Sequence, residues 1–154
     1  TAVFSVPSAR TDGAAISTVI VRAMTEVNAR DYPLDAIAEM VAGAGPEGVR
    51  ARLAARTVFV AVAGGEILGT AGLEETGEGA FLRSLYVRPD AHGFGLGSRL
   101  LATVEALARA RGHAVLNVPA SITGESFYLA RGYAPTGETR ATPHATIAMR
   151  RALA

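Results

Sequence analysis

The residues best suited to chemistry in this chain lie between Leu85 and Leu101. An apolar stretch, Leu85-Tyr86-Val87, passes through Arg88-Pro89-Asp90-Ala91 into His92-Gly93-Phe94-Gly95-Leu96-Gly97, and Ser98-Arg99-Leu100-Leu101 then opens a helical pattern. A strand that runs into glycines and then into a helix N-terminus presents backbone N–H groups without intrahelical partners, at the positive end of the helix dipole. Glycines let several amides approach one anion with no Cβ in the way, so phosphate or pyrophosphate is the natural guest. The plainer alternative is a turn that only links strand to helix. Two familiar phosphate motifs fail here. A P-loop requires Gly-Lys-Ser/Thr, and the chain has no lysine. A dinucleotide fingerprint counted from Gly93 meets Ser98 at its third glycine, and one counted from Gly95 meets Leu100.

Composition narrows the remaining chemistry. All 15 cationic residues are arginine and there is no cysteine, which excludes Schiff-base chemistry, thiolate nucleophiles, disulfides and cysteine-bound zinc. With 14 carboxylates the net charge is +1, so no broad footprint for nucleic acid or an anionic membrane is expected. At 154 residues, 49% hydrophobic and 19% charged, the chain is long enough to bury about two-thirds of its surface as one domain. No apolar run approaches the ~18 residues of a membrane span and no signal-peptide layout opens the chain, so a cytoplasmic protein is expected.

The elements that must position the glycine loop follow from periodicity. Val3 to Val6 suits a strand, and Ile16, Val19, Ile20, Ala23 and Val27 keep helical spacing after a cap at Thr11 or Asp12. Asn28 to Pro33 breaks that helix; Leu34 to Val41 and Pro46 to about Ala55 form two more. Strands are expected over Val58–Ala63, Glu66–Glu74 and Gly79–Val87, joined by Gly64-Gly65 and by Thr76 to Gly79. After the long helix that ends at Arg111-Gly112, Ala114 to Val118 is a strand stopped by Pro119. Ser121 caps a last helix reaching Arg131-Gly132, and strands from Tyr133 and over Thr146–Arg150 close the chain. The order β-αα(α)-βββ-α-β-α-ββ predicts an α/β (α+β) fold with a mixed, mostly antiparallel sheet and helices on both faces.

At these residues the chain resembles the GNAT superfamily of acyl-CoA-dependent N-acyltransferases. Its signature Arg/Gln-x-x-Gly-x-Gly/Ala is matched by His92, Gly95 and Gly97. Its Asn-x-x-Ala-x-x-Phe-Tyr-x-x-x-Gly-Phe/Tyr segment is similar to Ser121 through Phe127-Tyr128 to Gly132-Tyr133. The resemblance covers residues 1–154 as a single N-acetyltransferase domain and implies acetyl-CoA, or another short acyl-CoA, as co-substrate, with no metal. It implies that Gly93, Phe94, Gly95, Leu96, Gly97 and Ser98 hold the pyrophosphate, with His92 in place of the usual Arg or Gln. Backbone groups of Leu85 and Val87 would take the pantetheine arm, and Ser121 would lie near the cofactor or act only as a cap.

Tyr128 is implied as the general acid for the CoA thiolate, since a phenol with a pKa near 10 stays protonated at neutral pH. The expected Glu on the fourth strand is absent from Phe81-Leu82-Arg83-Ser84-Leu85; Glu74 and Glu75 stand nearby, as candidate bases or as solvated charges. Arg83, central in the sheet, is either a reader of a substrate carboxylate or half of an internal ion pair. Tyr32 lies where relatives line the acceptor pocket. Arg150-Arg151 has the look of a solvated chain end. The reading that follows is an N-acetyltransferase acting on a small-molecule primary amine, monomeric or homodimeric; the alternative is a silent acyl-CoA-binding regulatory domain.

Overall fold

The computed structural model describes residues 4–8, 12–140 and 145–153; Val3 and Thr11 lie outside them. The elements are β1 (Phe4–Pro7), α1 (Gly13–Glu26), α2 (Leu34–Gly43), α3 (Pro46–Ala55), β2 (Thr57–Ala63), β3 (Glu66–Thr76), β4 (Gly79–Val87), α4 (Leu96–Ala110), β5 (Val115–Ser121), α5 (Glu125–Leu129), β6 (Ala134–Arg140) and β7 (Thr146–Ala152). The strands form one sheet in the order β1-β2-β3-β4-β5-β7-β6. Every neighbouring pair is antiparallel except β4 with β5. The expected fold is therefore the observed one.

Two apolar layers sandwich the sheet. On one face the α4 stripe of Leu100, Leu101, Val104 and Ala108 packs on Leu73, Leu82, Leu116, Val118 and Met149. On the other, Ile16, Ile20 and Met24 of α1 meet Ile37, Met40 and Val49 of α2 and α3 over Val60. The period of 3.6 in the helices and of two in the strands puts these residues on facing surfaces, and burying them is the main driving force.

Two boundaries differ from the sequence expectation. Pro119 does not stop β5, which runs on to Ser121 paired with β7. β5 has by then left β4, their parallel pairing being confined to Ala80↔Leu116 and Phe81↔Asn117, so a missing N–H costs no ladder bond on that side. The last helix is also shorter than expected, starting at Glu125 instead of at Ser121. Ser121 ends the strand, and both its Oγ and its carbonyl accept the Gly124 N–H in a tight turn (3.0 and 3.1 Å).

The end of α5 explains its Gly-Tyr pair. The Tyr133 N–H donates to the Tyr128 carbonyl and the Gly132 N–H to that of Leu129, with Gly132 at φ 87°. That is a Schellman cap, and its accompanying apolar contact is the Tyr128–Tyr133 ring pair, 5.8 Å between centroids. Gly132→Ala should cost about 1–2 kcal/mol, because an L side chain is strained in the left-handed region. Thermal unfolding should show a melting temperature several degrees lower; an unchanged one would remove this cap from the fold's requirements.

Candidate functional site

The site is organised by one irregularity in β4. Thr70 of β3 pairs with Tyr86, but Gly72 pairs with Arg83, so β4 carries one extra residue at this point. Ser84 absorbs it at φ 51°, the only described non-glycine residue with positive φ. A bulge of this kind bends its strand and shifts the phase of its side chains. Before it, Ala80 and Leu82 face α4; after it, Leu85 and Val87 do, while Tyr86 joins the opposite layer. Beyond Phe81 and Asn117, β4 and β5 diverge into a fork. The Arg88 N–H donates to Leu68 on β3 (2.7 Å), so by alternation the backbone groups of Leu85 and Val87 point into the fork. One of these acceptors is occupied, since the His92 ring approaches the Val87 carbonyl with Nε2 at 3.0 Å. A carbonyl only accepts, so Nε2 carries the proton in this contact.

The glycine loop leads directly into α4. Gly95 is its N-cap at φ 75°, and the first helical bond is Arg99 N–H to the Gly95 carbonyl (3.1 Å). The amides of Leu96, Gly97 and Ser98 therefore have no acceptor in the helix. Gly93, also at positive φ, and Gly95 face open space where a Cβ would stand; Phe94 is 78% exposed. Gly97 differs, because a Cβ there would lie 3.1 Å from the Phe127 ring. Its role in the fold is to let α5 pack against the first turn of α4.

That packing brings in a cation that sequence reasoning passed over. Arg131 lies 3.7 Å over the Phe127 ring, donates through Nε to Ser98 Oγ (2.8 Å) and through a terminal nitrogen to the Phe127 carbonyl (2.9 Å). No described carboxylate lies within ion-pair distance of it. A guanidinium thus stands beside unpaired amides, the arrangement that suits a phosphate group. The available signal was its place directly before Gly132 in the second motif.

Tyr128 is buried between Phe127 and Tyr133, with edge-on ring contacts at 5.2 and 5.8 Å. Its hydroxyl bonds to no other described residue. Burial, with a smaller contribution from Tyr86, raises its pKa well above the ordinary 10.0. The hydroxyl is a donor with no partner among the described residues.

Of the residues expected to face the acceptor, Tyr32 has its hydroxyl engaged within the fold, and Arg83 borders the cleft described below but is held in an internal ion pair. Tyr32 is buried, with its hydroxyl donating to the Ala145 carbonyl (2.7 Å) and accepting the Ile122 N–H (2.8 Å), so it ties two strand ends together. Arg83 donates through Nε to Glu74 (2.9 Å) and stacks 5.0 Å from the Phe81 ring centroid; Arg56 Nε lies 3.8 Å from the same carboxylate. Glu75 binds Arg111 and His113, which links β3 to the end of α4 and holds its carboxyl below the usual range. β7 sends Arg150 and Arg151 to opposite faces. Arg151 meets the buried Glu105, which also accepts the Tyr133 hydroxyl (2.9 and 2.7 Å), so the pair is not the solvated chain end expected.

On the face away from α4 a cleft of about 950 Å³ begins at the fork, bordered by Phe81, Arg83, Asn117, Pro119 and Arg150. Among the described residues no group of three or more His, Asp or Glu side chains is arranged to hold a metal, and no helix is long and apolar enough to cross a membrane.

Comparison with known proteins agrees with this geometry. A model described as "Acetyltransferase (GNAT) domain" matches residues 28–149. A GCN5-related N-acetyltransferase from Rhodopseudomonas palustris superposes with a TM-score of 0.86 at 27% identity, covering 99% of this chain and 96% of that one. The PaiA N-acetyltransferase of Thermoplasma acidophilum, solved with coenzyme A, gives 0.81 at 17% over 99% of both chains. N-acetylglutamate synthase from Neisseria gonorrhoeae, complexed with coenzyme A and N-acetyl-glutamate, gives 0.74 at 18% over all of this chain and 36% of that one. No curated protein matches the sequence. The family match spans most of the chain and the fold agrees throughout: the chain belongs to the GNAT acetyltransferase family and is an acyltransferase.

Proposed function

We propose that the protein transfers an acetyl group from acetyl-CoA to the primary amine of a small molecule, by direct attack within a ternary complex, with residues 1–154 acting as one domain. The observation that carries this reading is the β4–β5 fork, which opens from the Ser84 bulge toward the unpaired amides at the start of α4. A linear thioester substrate fits that course. Its pyrophosphate meets the amides of Gly93 to Ser98 and the Arg131 guanidinium, and its pantetheine amides pair with Leu85 and Val87. Ser121, at the mouth of the fork on β5, flanks the arm. His92 acts through the Val87 carbonyl instead of through phosphate.

In the reaction the amine nitrogen forms a bond to the thioester carbon and the C–S bond breaks. A strand amide near Leu85 stabilises the developing oxyanion. Tyr128 supplies a hydrogen bond and then a proton to the leaving sulfur, for which its hydroxyl has no competing partner among the described residues. The attacking amine must be neutral. With Glu74 held between two arginines and Glu75 bound on the far side of the sheet, its proton leaves through water in the open cleft. Holding both reactants in line supplies much of the acceleration.

Titration calorimetry with acetyl-CoA tests the reading at its base, and absence of binding would end it. Tyr128→Phe should lower kcat on the order of a hundredfold, the usual weight of a general acid, with CoA affinity kept. An unchanged kcat would take Tyr128 out of the mechanism.

A second measurement follows from the phenols. All four tyrosines, Tyr32, Tyr86, Tyr128 and Tyr133, have pKa values raised above 10.0, chiefly by burial. The folded state therefore holds these protons more tightly than the unfolded one. Its stability is intact below pH 10 and falls as pH rises from the unfolded value through the folded ones. Phenolate absorbance at pH 10 should be weaker in the native protein than in the unfolded one and rise with unfolding. Equal phenolate absorbance in the two states at pH 10 would contradict this burial.

A further inference from the structure

The cleft that begins at the fork contains a cation that forms no ion pair among the described residues. Strand alternation sends Met149 into the core and Arg151 to Glu105, which leaves Arg150 on the open face beside its register partner Asn117. Arg83, the other cation of the cleft, is already engaged by Glu74. No described carboxylate lies within ion-pair distance of Arg150. Its neighbour Asn117 donates through Nδ2 to the Ala80 carbonyl (3.1 Å), so its Oδ1 is left with an acceptor's capacity. Asn117 is also the last β5 residue paired with β4, so this oxygen stands at the vertex of the fork. A fork of donors and a single acceptor thus sit on directly opposed residues of adjacent strands, within about 4.5–5.5 Å at the backbone.

From this juxtaposition we infer that the acceptor is a small amine carrying a carboxylate a few bonds away, in the manner of an amino acid. Arg150 takes the carboxylate and Asn117 Oδ1 accepts from a polar group of the acceptor at the vertex, which leaves the amine to reach along the fork toward the thioester. A planar guanidinium binds a carboxylate through two parallel N–H bonds, and that of Arg150 has no such partner among the described residues. Glu78 and Glu138, which also border the cleft, favour entry of the ammonium form and disfavour acceptors with a second anionic group. The specificity lies in Arg150, where Arg83 was the candidate from sequence. This assignment rests on the acetyl-transfer reading above.

The test uses the full chain with acetyl-CoA, release of free thiol as readout, and a panel of the common α-amino acids, each beside its carboxamide. The best amino acid should exceed its carboxamide at least tenfold in kcat/KM, the difference residing in KM. Arg150→Gln should collapse that preference toward unity while calorimetry shows CoA affinity kept, and Arg150→Lys should restore part of it. Equal turnover of acids and amides, or a preference that survives Arg150→Gln, overturns the inference and leaves acetyl transfer standing. Turnover of none of the panel with CoA bound also overturns it. Failure to bind CoA at all refutes the reading on which it rests.

Discussion

The structure depends on one inserted residue in a strand. Ser84 at φ 51° gives β4 an extra residue opposite β3, and two consequences follow together. The side-chain phase reverses, so that Leu85 and Val87 continue the layer against α4 that Ala80 and Leu82 began. The strand also bends away from β5, so the parallel pairing ends after two residue pairs. A regular strand in this place would pair with β5 along its length and close the fork. Apart from the Val87 carbonyl, which His92 meets, the backbone groups that would have bonded across the sheet are instead open to an extended ligand. Strain of about 1–3 kcal/mol at such a residue persists only where its surroundings fix it. Here the Arg56 guanidinium meets the Ser84 hydroxyl at 3.3 Å, and the pairs on either side of the bulge hold the register.

The second motif works through packing. Gly97 admits the Phe127 ring, Phe127 carries Arg131 on its face, and Arg131 reaches back to Ser98. The same short helix ends in the Gly132 cap, which brings the Tyr133 ring against Tyr128. Tyr133 is in turn anchored on Glu105 of α4. The donor hydroxyl of Tyr128 and the cation beside the glycine loop are therefore set by one five-residue helix. Its position relative to α4 is fixed at both ends, which is what a reaction between a bound thioester and an incoming amine requires.

The fold was legible because long periodic segments decide it: the α1 and α4 stripes and the three strands between Thr57 and Val87 lie where the pattern places them. The anion-binding turn was equally legible, since glycine spacing before a helix has a direct backbone consequence. The bulge was not, because Arg83-Ser84-Leu85 has the composition of ordinary strand and the extra residue shows only in the register with β3. The continuation of β5 through Pro119 was hidden for a related reason. A proline is excluded from a strand paired on both sides, and the sequence does not tell that β4 has already departed. Arg150 and Arg151 look alike in sequence; the period of two separates a core ion pair from a cleft residue only once β7 is known to be interior.

The distribution of charge then acquires a physical meaning. With a net charge of +1 carried by arginine alone, cations and carboxylates nearly balance over the chain. Most of its ionic contacts are internal: Glu74 with Arg83, Glu75 with Arg111, Glu105 with Arg151, and Asp90 with Arg88 and Arg22. Each of these joins elements that the hydrophobic layers already bring together, and partly exposed pairs of this kind add little to stability on their own. Their effect is subtraction. They remove guanidinium charge from the places where an anion would otherwise bind at random. Arg131 and Arg150 have no described carboxylate partner, and one borders the amide turn while the other borders the cleft. These two cations, among several arginines without an ion pair, stand on opposite faces of one sheet with the fork between them, a placement that suits two substrates whose reactive groups must meet in the middle.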